Sequence, residues 1–301
     1  MAGAQDKPPL GPRHWPTWLG IGAMALLARL PWPLQRALGR GMGGLLLRAL
    51  PSRRRVAARN IELCFPELDA AAREALLRRH FAAIGIGLFE FARAWWGSVE
   101  PLRRGLVVEG LEHMEAARAG GRGVIVVSGH FTTLEVCGRL MCDHVPLAGM
   151  YRPHAQPVME WAVKRGRARY AAAMFPKQDL RGSVRHLKRG GLLWYAPDQD
   201  PSRGDAVYVP FFGRPAHSLT STHQLARMSG ATVLFYQHAR RDDGGYTLRL
   251  FPASEGYPSR DATADTAEVM AAIETMARAA PEQYLWIHRR FKRQPDGGSA
   301  Y

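Results

Sequence analysis

The sequence is poor in cysteine and in acidic residues, and both shortages restrict what the protein can be. Its three cysteines, Cys64, Cys137 and Cys142, match no metal-ligand spacing and are too few for a disulfide scaffold. We therefore interpret them as reduced structural thiols in a cytosolic setting. Only 26 aspartates and glutamates stand against 41 lysines and arginines, so the formal net charge is +15. Such an excess favours a polyanionic partner: nucleic acid, anionic lipid or an acidic protein.

Several common sequence features are also missing. The chain has no P-loop and no G-x-S-x-G nucleophile elbow, and no repeat, low-complexity stretch or interdomain linker interrupts it. The GRGMGG run at residues 39–44 formally matches a dinucleotide fingerprint, but it follows a helical pattern rather than a strand, which excludes that site. With 47% hydrophobic and 22% charged residues in 301 positions, the chain is not disordered and can bury a full core.

A hydrophobic segment near the N-terminus indicates contact with a membrane. Residues 15–34 are about as long as a membrane-spanning helix and carry tryptophans near both ends. Because Arg29 and three prolines interrupt the segment, a spanning helix, an interfacial helix and a buried core helix all stay open. Arginines are frequent after the segment, which predicts that the globular part lies in the cytoplasm. We divide the chain into an N-terminal tail (1–14), a membrane-associating helical segment (15–50) and a globular domain (51–301).

The hydrophobic periodicity predicts a single α/β domain in which helices flank a mixed, mostly parallel sheet. The β-branched run at 124–127 suits a strand covered on both faces, and apolar steps of three and four residues predict a long helix over 68–96. Further strands are predicted at 106–109, 147–151, 192–196, 207–212, 232–237 and 246–251. Further helices are predicted at 111–118, from about 132, 157–170, 180–188, 218–228 and 263–278.

The corner between the strand 124–127 and the following helix carries the best candidate for a catalytic site. His130 lies at this corner, and Glu135 lies five residues later in the first helical turn. A carboxylate placed there would hold one imidazole nitrogen and leave the other free as a base. Strand-to-helix corners are also where open α/β sheets usually carry their sites. His238 and Asp243 have the same spacing, but they fall at a strand end and in a turn, so we interpret them as hairpin surface.

Two other regions are candidates for substrate binding. The helix predicted at 157–170 carries four cations, and the guanidinium nearest the site would clamp phosphate or carboxylate. Asp198 follows the strand 192–196, where α/β proteins expose functional side chains and where aspartate equally often forms a turn.

Several sequence blocks resemble the late acyltransferases of lipid A biosynthesis, the lauroyl and myristoyl transferases, which are distant relatives of glycerolipid acyltransferases. SGHFTTLE at 128–135 is similar to the His-x4-Glu block of that family. The resemblance implies a glycerolipid-acyltransferase-like fold and an inner-membrane enzyme whose site faces the cytoplasm. It implies transfer of a fatty acyl group from acyl carrier protein to a hydroxyacyl chain of a lipid A precursor. The likeness continues in order through residues 150–170, 192–200, 207–218, 224–233 and 281–297.

The resemblance also implies residue roles. His130 and Glu135 take the catalytic pair, and Arg152, Arg167 and Asp198 match blocks that we expect to bind substrate. No metal and no bound cofactor is expected, because the phosphopantetheine thioester of the carrier protein is itself the donor substrate.

Two positions depart from the family pattern. Pro201 stands where a tyrosine is expected, and Ser218-Leu219 interrupts the usual threonine run. Both departures bear on acyl-chain or acceptor preference rather than on the reaction.

The chemistry predicted from these residues is direct transfer. A neutral imidazole held by Glu135 would take the proton of the acceptor hydroxyl, while the thiolate, with a pKa of roughly 8.5, leaves readily. Backbone N–H groups near residues 131–133, or an arginine, would stabilise the oxyanion. The positive charge would dock the acidic carrier and hold an anionic bilayer, whereas no motif supports nucleic acid binding. Two alternatives stay open: a lysophospholipid or other glycolipid acceptor, and a non-enzymatic peripheral protein that only binds anionic lipid.

Overall fold

The structure is a computed structural model that describes residues 7–301. Residues 1–6 of the predicted tail 1–14 lie outside the described residues, and the tail ends in a short 3-10 turn, Pro12–His14. The strands are β1 (Leu106–Glu109), β2 (Val124–Val127), β3 (Leu147–Tyr151), β4 (Met174–Pro176), β5 (Leu192–Tyr195), β6 (Ala206–Phe211), β7 (Arg214–Leu219), β8 (Thr232–Arg240) and β9 (Tyr246–Pro252). The helices are α1 (Trp15–Leu27), α2 (Trp32–Ala49), α3 (Pro51–Cys64), α4 (Ala70–Trp96), α5 (Glu100–Arg103), α6 (Leu111–Ala119), α7 (Leu134–Met141), α8 (Pro157–Arg167), α9 (Leu180–Lys188), α10 (Ser221–Ser229) and α11 (Ala262–Ala279).

Seven strands form one sheet in the order β1-β9-β8-β2-β5-β3-β4, and all neighbours are parallel except β8 and β9. This confirms the predicted mixed, mostly parallel sheet. β2 lies in the middle with all four residues buried, which explains its uninterrupted β-branched run. Ile125 and Val127 face a core shared with α3 and α11, whereas Val124 and Val126 face a core shared with α7. Helices therefore cover both faces of the sheet.

Some boundaries differ from the prediction, in one case because of strand pairing that local periodicity does not reveal. The helix expected at 218–228 begins at Ser221, since residues 214–219 form β7 and pair with β6 in an antiparallel hairpin outside the main sheet. The helix expected at 157–170 ends at Arg167. β4 was not predicted, because a three-residue strand at the sheet edge has almost no periodicity to detect.

The predicted segment 15–34 is two helices and not one. α1 ends at Leu27, and α2 starts at Trp32 with Pro31 immediately before it. The amide of Gln35 donates to the carbonyls of Leu27 (2.7 Å) and Leu30 (3.1 Å), which ties α2 to the end of α1 across the break. Within residues 7–301, no helix combines the length and apolar character needed to cross a membrane. The membrane-associating role of the segment stays a prediction.

Glycines bring α2 and α4 into close contact. A methyl group added at Gly43 would lie 2.2 Å from the Phe81 carbonyl oxygen, and one at Gly85 would lie 2.0 Å from that of Gly39. A side chain at any of these glycines would force the backbones apart. Gly41, on the same helix, has no neighbour within 4 Å of an added methyl group. The GRGMGG run is therefore part of a helix–helix contact, which agrees with our rejection of a dinucleotide site.

Candidate active site

The sheet register brings the loops after β2 and β5 together. Val127 pairs with Tyr195 at the carboxyl ends of these parallel neighbours, and the N–H of Ser128 donates to the Tyr195 carbonyl at 3.0 Å. His130 follows Val127 by three positions, and Asp198 follows Tyr195 by three positions. Their side chains therefore meet above the middle of the sheet, at the edge where open α/β folds carry their sites.

His130 and Asp198 form a hydrogen-bonded pair. Nδ1 of His130 lies 2.6 Å from Oδ1 of Asp198, and the backbone N–H of His130 donates to Oδ2 at 3.0 Å. The Tyr284 hydroxyl donates to the same Oδ2 at 2.9 Å. The Asp198 side chain is 1% exposed and that of His130 is 31% exposed, so the carboxylate is enclosed while the ring reaches solvent. This arrangement occupies Nδ1 and directs chemistry to Nε2.

The two groups shift each other's protonation. Burial lowers the pKa of His130, but the Asp198 charge and hydrogen bond outweigh it, so the pKa is raised above 6.5. Burial raises the pKa of Asp198, but the His130 ring, the His130 N–H and the Tyr284 hydroxyl together lower it to about 2. Asp198 is therefore ionised at neutral pH, and its charge favours the protonated form of the His130 ring.

Glu135 does not contact His130 as the sequence predicted. Its carboxylate accepts from Trp95 Nε1 at 2.6 Å, from Arg167 Nε and Nη2 at 2.9 and 2.7 Å, and from the Tyr170 hydroxyl at 2.5 Å. Within the described residues, no hydrogen bond joins Glu135 to His130. The predicted orienting contact is thus corrected: Asp198 makes it, because the register of β2 and β5 delivers Asp198 to the ring. The requirement for Glu135 in turnover stays a prediction.

Glu135 instead links three helices. Trp95 is on α4, Glu135 itself on α7, and Arg167 ends α8. Burial raises the pKa of Glu135, but Arg167 and the other donors outweigh it and hold the pKa below its usual value. Arg167, predicted to bind substrate, has its guanidinium engaged in this bidentate pair. Arg152 is exposed just after β3, the other neighbour of β5, at the same edge of the sheet as His130.

His238 was predicted to lie on a hairpin surface, and this was wrong. Its side chain is 1% exposed, because β8 extends to Arg240 and carries it inside the protein. Nδ1 of His238 lies 2.9 Å from the Thr133 hydroxyl, directly before α7, and burial lowers the pKa of His238 to about 3. Asp243 does lie in the turn, where it is exposed.

Residues near the C-terminus are hydrogen-bonded to the loop that carries His130. The N–H of Thr132 donates to the Gln283 carbonyl at 2.8 Å, and the N–H of Leu285 donates to the His130 carbonyl at 2.9 Å. Thr132 therefore has no free N–H for an oxyanion, which removes one of the groups expected near residues 131–133. No local sequence pattern indicates that residues 283–285 reach the site; only the resemblance of the block at 281–297 points to them.

Two concave regions stand out in the described part of the chain. A cavity of about 10 Å³ borders His130 and Asp198, which is room for about one water molecule. An apolar groove of about 620 Å³ runs along α1. It is lined by Leu10, Trp15, Trp18, Leu19, Gly22, Ala23 and Leu26.

The fold and site define an α/β protein with a buried carboxylate that orients a solvent-reaching imidazole, an arrangement suited to proton abstraction. Residues 4–293 match the family described as bacterial lipid A biosynthesis acyltransferase. The chain is 40% identical over 290 residues to the lipid A biosynthesis lauroyltransferase of Escherichia coli (strain K12), covering 96% of this chain and 95% of the relative. It is 41% identical over 293 residues to the palmitoleoyltransferase of the same organism, covering 97% and 95%. This chain belongs to the bacterial lipid A biosynthesis acyltransferase family and is an acyltransferase.

One solved structure is also similar. The 1-acyl-sn-glycerophosphate acyltransferase of Thermotoga maritima aligns over 83% of this chain and 98% of its own, at 16% sequence identity and a TM-score of 0.38. The family assignment rests on the sequence matches.

Proposed function

We propose that the protein transfers a fatty acyl group from the thioester of acyl carrier protein to a hydroxyl of a hydroxyacyl chain on a lipid A precursor. His130 is the general base, and Asp198 orients it. This proposal rests on the hydrogen-bonded His130–Asp198 pair, which lies at the carboxyl ends of the parallel strands β2 and β5 in a chain of the lipid A acyltransferase family.

The proton and the acyl group move in a balanced sequence. With its proton on Nδ1 held by Asp198, the neutral ring presents the lone pair of Nε2 to the acceptor hydroxyl. Nε2 takes the hydroxyl proton as the oxygen attacks the thioester carbonyl, and a tetrahedral oxyanion forms. When this collapses, the carbon–sulfur bond breaks, and the imidazolium proton passes to the departing thiolate. The products are an ester and a free thiol, and the enzyme is restored.

The thiols of the protein do not suit an acyl-enzyme route. Burial raises the pKa of Cys64, Cys137 and Cys142, in the last case to about 11. A thiol is a nucleophile only as thiolate, so these side chains are unreactive at neutral pH. Direct transfer to the acceptor needs no such group.

The arginines have different parts in this proposal. Arg152 is exposed at the same edge of the sheet as His130 and is suited to an anionic group of the acceptor, such as a phosphate. Arg167 acts through Glu135, because its guanidinium is already engaged in a bidentate pair. Glu135 thereby holds α7, and with it the loop that carries His130, against α4 and α8.

The reaction takes place at the inner membrane, on its cytoplasmic face. Most of the large apolar residues that are exposed in the described chain lie between residues 10 and 50, on α1 and α2 or next to their ends. We call this apolar surface the platform. It consists of Leu10, Trp15, Leu19, Leu26, Leu34, Leu38, Met42, Leu45 and Leu50.

The platform suits a surface that lies in the headgroup region of a bilayer. Exposed apolar area of this kind is rare on monomers unless it binds a partner. Arg36, Arg40 and Arg48 are on α2 as well, and cations beside an apolar helix face favour anionic lipid. Apart from Leu10, the platform lies within the predicted membrane-associating segment 15–50.

The function is tested by giving the purified protein an acyl carrier protein thioester and offering either the hydroxyacyl lipid A precursor or a lysophospholipid. Mass spectrometry of the products identifies the acceptor. We expect acylated precursor, and a loss of at least about a hundredfold in rate for His130→Ala, the size of a general-base contribution.

The matched control is His113→Ala, which removes an exposed histidine of α6 and should leave the rate unchanged. Normal turnover by folded His130→Ala protein would contradict the assignment of the base. Acylation of the lysophospholipid alone would contradict the acceptor. Vesicle binding without any acyl consumption would identify a lipid-binding protein that is not an enzyme.

A further inference from the structure

Tyr284 makes a contact with the site that the reaction itself does not require. Its hydroxyl donates to Oδ2 of Asp198 at 2.9 Å, and the backbone N–H of His130 donates to that oxygen at 3.0 Å. Oδ1 is left facing Nδ1 of His130, at 2.6 Å. Two donors on one oxygen fix the plane of the carboxylate, so the other oxygen stays directed at the ring.

The ring of Tyr284 has a packing role that is separate from its hydroxyl. It is 4% exposed, and its centroid lies 5.4 Å from that of Phe131 and 4.7 Å from that of Trp286. A methyl group added at Gly129 would lie 3.4 Å from the Tyr284 ring, so the ring also lies close to the backbone that precedes His130. Phenylalanine would preserve this packing and remove only the hydroxyl.

We propose that Tyr284 is a positioning residue that acts through Asp198: its hydroxyl holds the carboxylate in the orientation that the His130 ring needs and moderates the charge that the ring meets. The kinetic part of this inference rests on the proposed function, whereas the titration of His130 does not. A hydrogen bond to a carboxylate stabilises its negative charge and weakens its pull on the imidazolium. Without the hydroxyl, Asp198 should hold the His130 proton more tightly.

Other ionisable groups surround the pair and stay in place when the hydroxyl is removed. His288 and Arg290 line the small cavity next to His130, and the backbone N–H of Asp200 donates to Nε2 of His288 at 3.1 Å. The hydroxyl of Tyr195, at the end of β5, is hydrogen-bonded to the Ser221 hydroxyl at 2.6 Å. A change in the behaviour of His130 in a Tyr284→Phe protein is therefore attributable to the lost bond to Asp198.

The test is Tyr284→Phe in the full-length protein. We expect kcat at neutral pH to fall about tenfold, the value of one hydrogen bond to a charged group, with KM for donor and acceptor unchanged within about twofold. The acid limb of kcat/KM should move to higher pH by at least about half a unit. An NMR titration of His130 without substrate should move in the same direction.

Two comparisons separate positioning from general stability. Tyr246→Phe removes another buried tyrosine hydroxyl, which donates to the Glu90 carboxylate at 2.6 Å, and should leave the pH profile unchanged. In an Asp198→Asn background, Tyr284→Phe should have little further effect on rate, because the two residues act as one unit. An unshifted His130 titration, or fully additive effects in the double variant, would overturn the proposal. If the wild-type protein transfers no acyl group, the proposed function fails, and the titration still decides the role of Tyr284.

Discussion

The charge state of His130 depends on one carboxylate, so the pH profile should respond to that carboxylate in a defined direction. Asp198 raises the pKa of His130, and the base form therefore gains population only as pH rises through this raised value. In Asp198→Asn, the burial of the ring remains and the charge is gone, so the acid limb of kcat/KM should move to lower pH. The plateau should also fall by at least about a hundredfold, because the amide no longer fixes the tautomer. A profile with an unmoved acid limb would contradict the pairing.

Glu135 should contribute to stability through Arg167. Arg167→Ala leaves a carboxylate that is 6% exposed without its charged partner, which should cost about 3–5 kcal/mol in the free energy of unfolding, measured in urea. In the wild-type protein, Arg167 holds the folded-state pKa of Glu135 below its unfolded value. The stability that Glu135 contributes is therefore present above the unfolded pKa and is lost as pH falls through the folded value. The cost of Arg167→Ala should therefore shrink in acid.

Arg165→Ala is the control for this prediction, since Arg165 is exposed on the same helix and stacks on the Trp161 ring at 5.4 Å. It should cost about 1 kcal/mol or less. Equal losses in the free energy of unfolding for Arg165→Ala and Arg167→Ala would mean that the Glu135–Arg167 pair contributes no more to stability than an exposed arginine does.

At the residue scale, the sequence named both His130 and Asp198, which the structure brings together, but it connected His130 to Glu135 instead. Spacing along one helix suggested Glu135, whereas the contact depends on which strands are neighbours. The signal was present: His130 and Asp198 lie equally far beyond two strands. Using it required knowing that β2 and β5 are adjacent and in register. Tyr284 and Trp95 had no comparable local signal.

At the element scale, the contact between α2 and α4 should be intolerant of added volume. Gly43→Ala places a methyl group 2.2 Å from a carbonyl oxygen, which neither helix can avoid without moving. We expect a loss of about 1–3 kcal/mol in stability, as for other overpacked contacts. Gly41→Ala, where an added methyl group meets nothing, should instead stabilise α2 by up to about 1 kcal/mol. Urea unfolding of both variants checks this, and similar effects of the two substitutions would contradict it.

The same scale explains what the sequence could and could not predict about the elements. β2, β3 and α9 were predicted at the positions where they occur, because their burial patterns are local and strong. The segment 15–34 is predicted as one unit because its composition is mostly apolar, although Arg29 and three prolines interrupt it. The break between α1 and α2 depends on Pro31 and on the Gln35 contacts, and the second of these is not visible in a hydropathy pattern.

At the scale of the whole molecule, the platform and the net charge of +15 should act together on lipid. We expect sedimentation with anionic vesicles that weakens with salt, because exposed charges are screened beyond about 10 Å at 0.1 M. The double variant Leu38→Ser, Leu45→Ser should reduce binding by more than tenfold, since burying each leucine contributes about 1.5–3 kcal/mol. The control, Leu180→Ser with Met228→Ser, changes two exposed apolar residues outside the platform and should bind normally. Equal loss in both variants would place the lipid contact elsewhere.

Residues 283–285, which are hydrogen-bonded to the loop of His130, are added late in protein synthesis. Tyr284 follows Asp198 by 86 residues, so at about 5–20 residues per second the ribosome needs on the order of ten seconds to add it. During that interval a nascent chain already holds the histidine and the aspartate but lacks the segment that pins their loop. We therefore expect acyl transfer only from chains translated past this segment, and a stop codon ahead of it should yield a product without transfer activity.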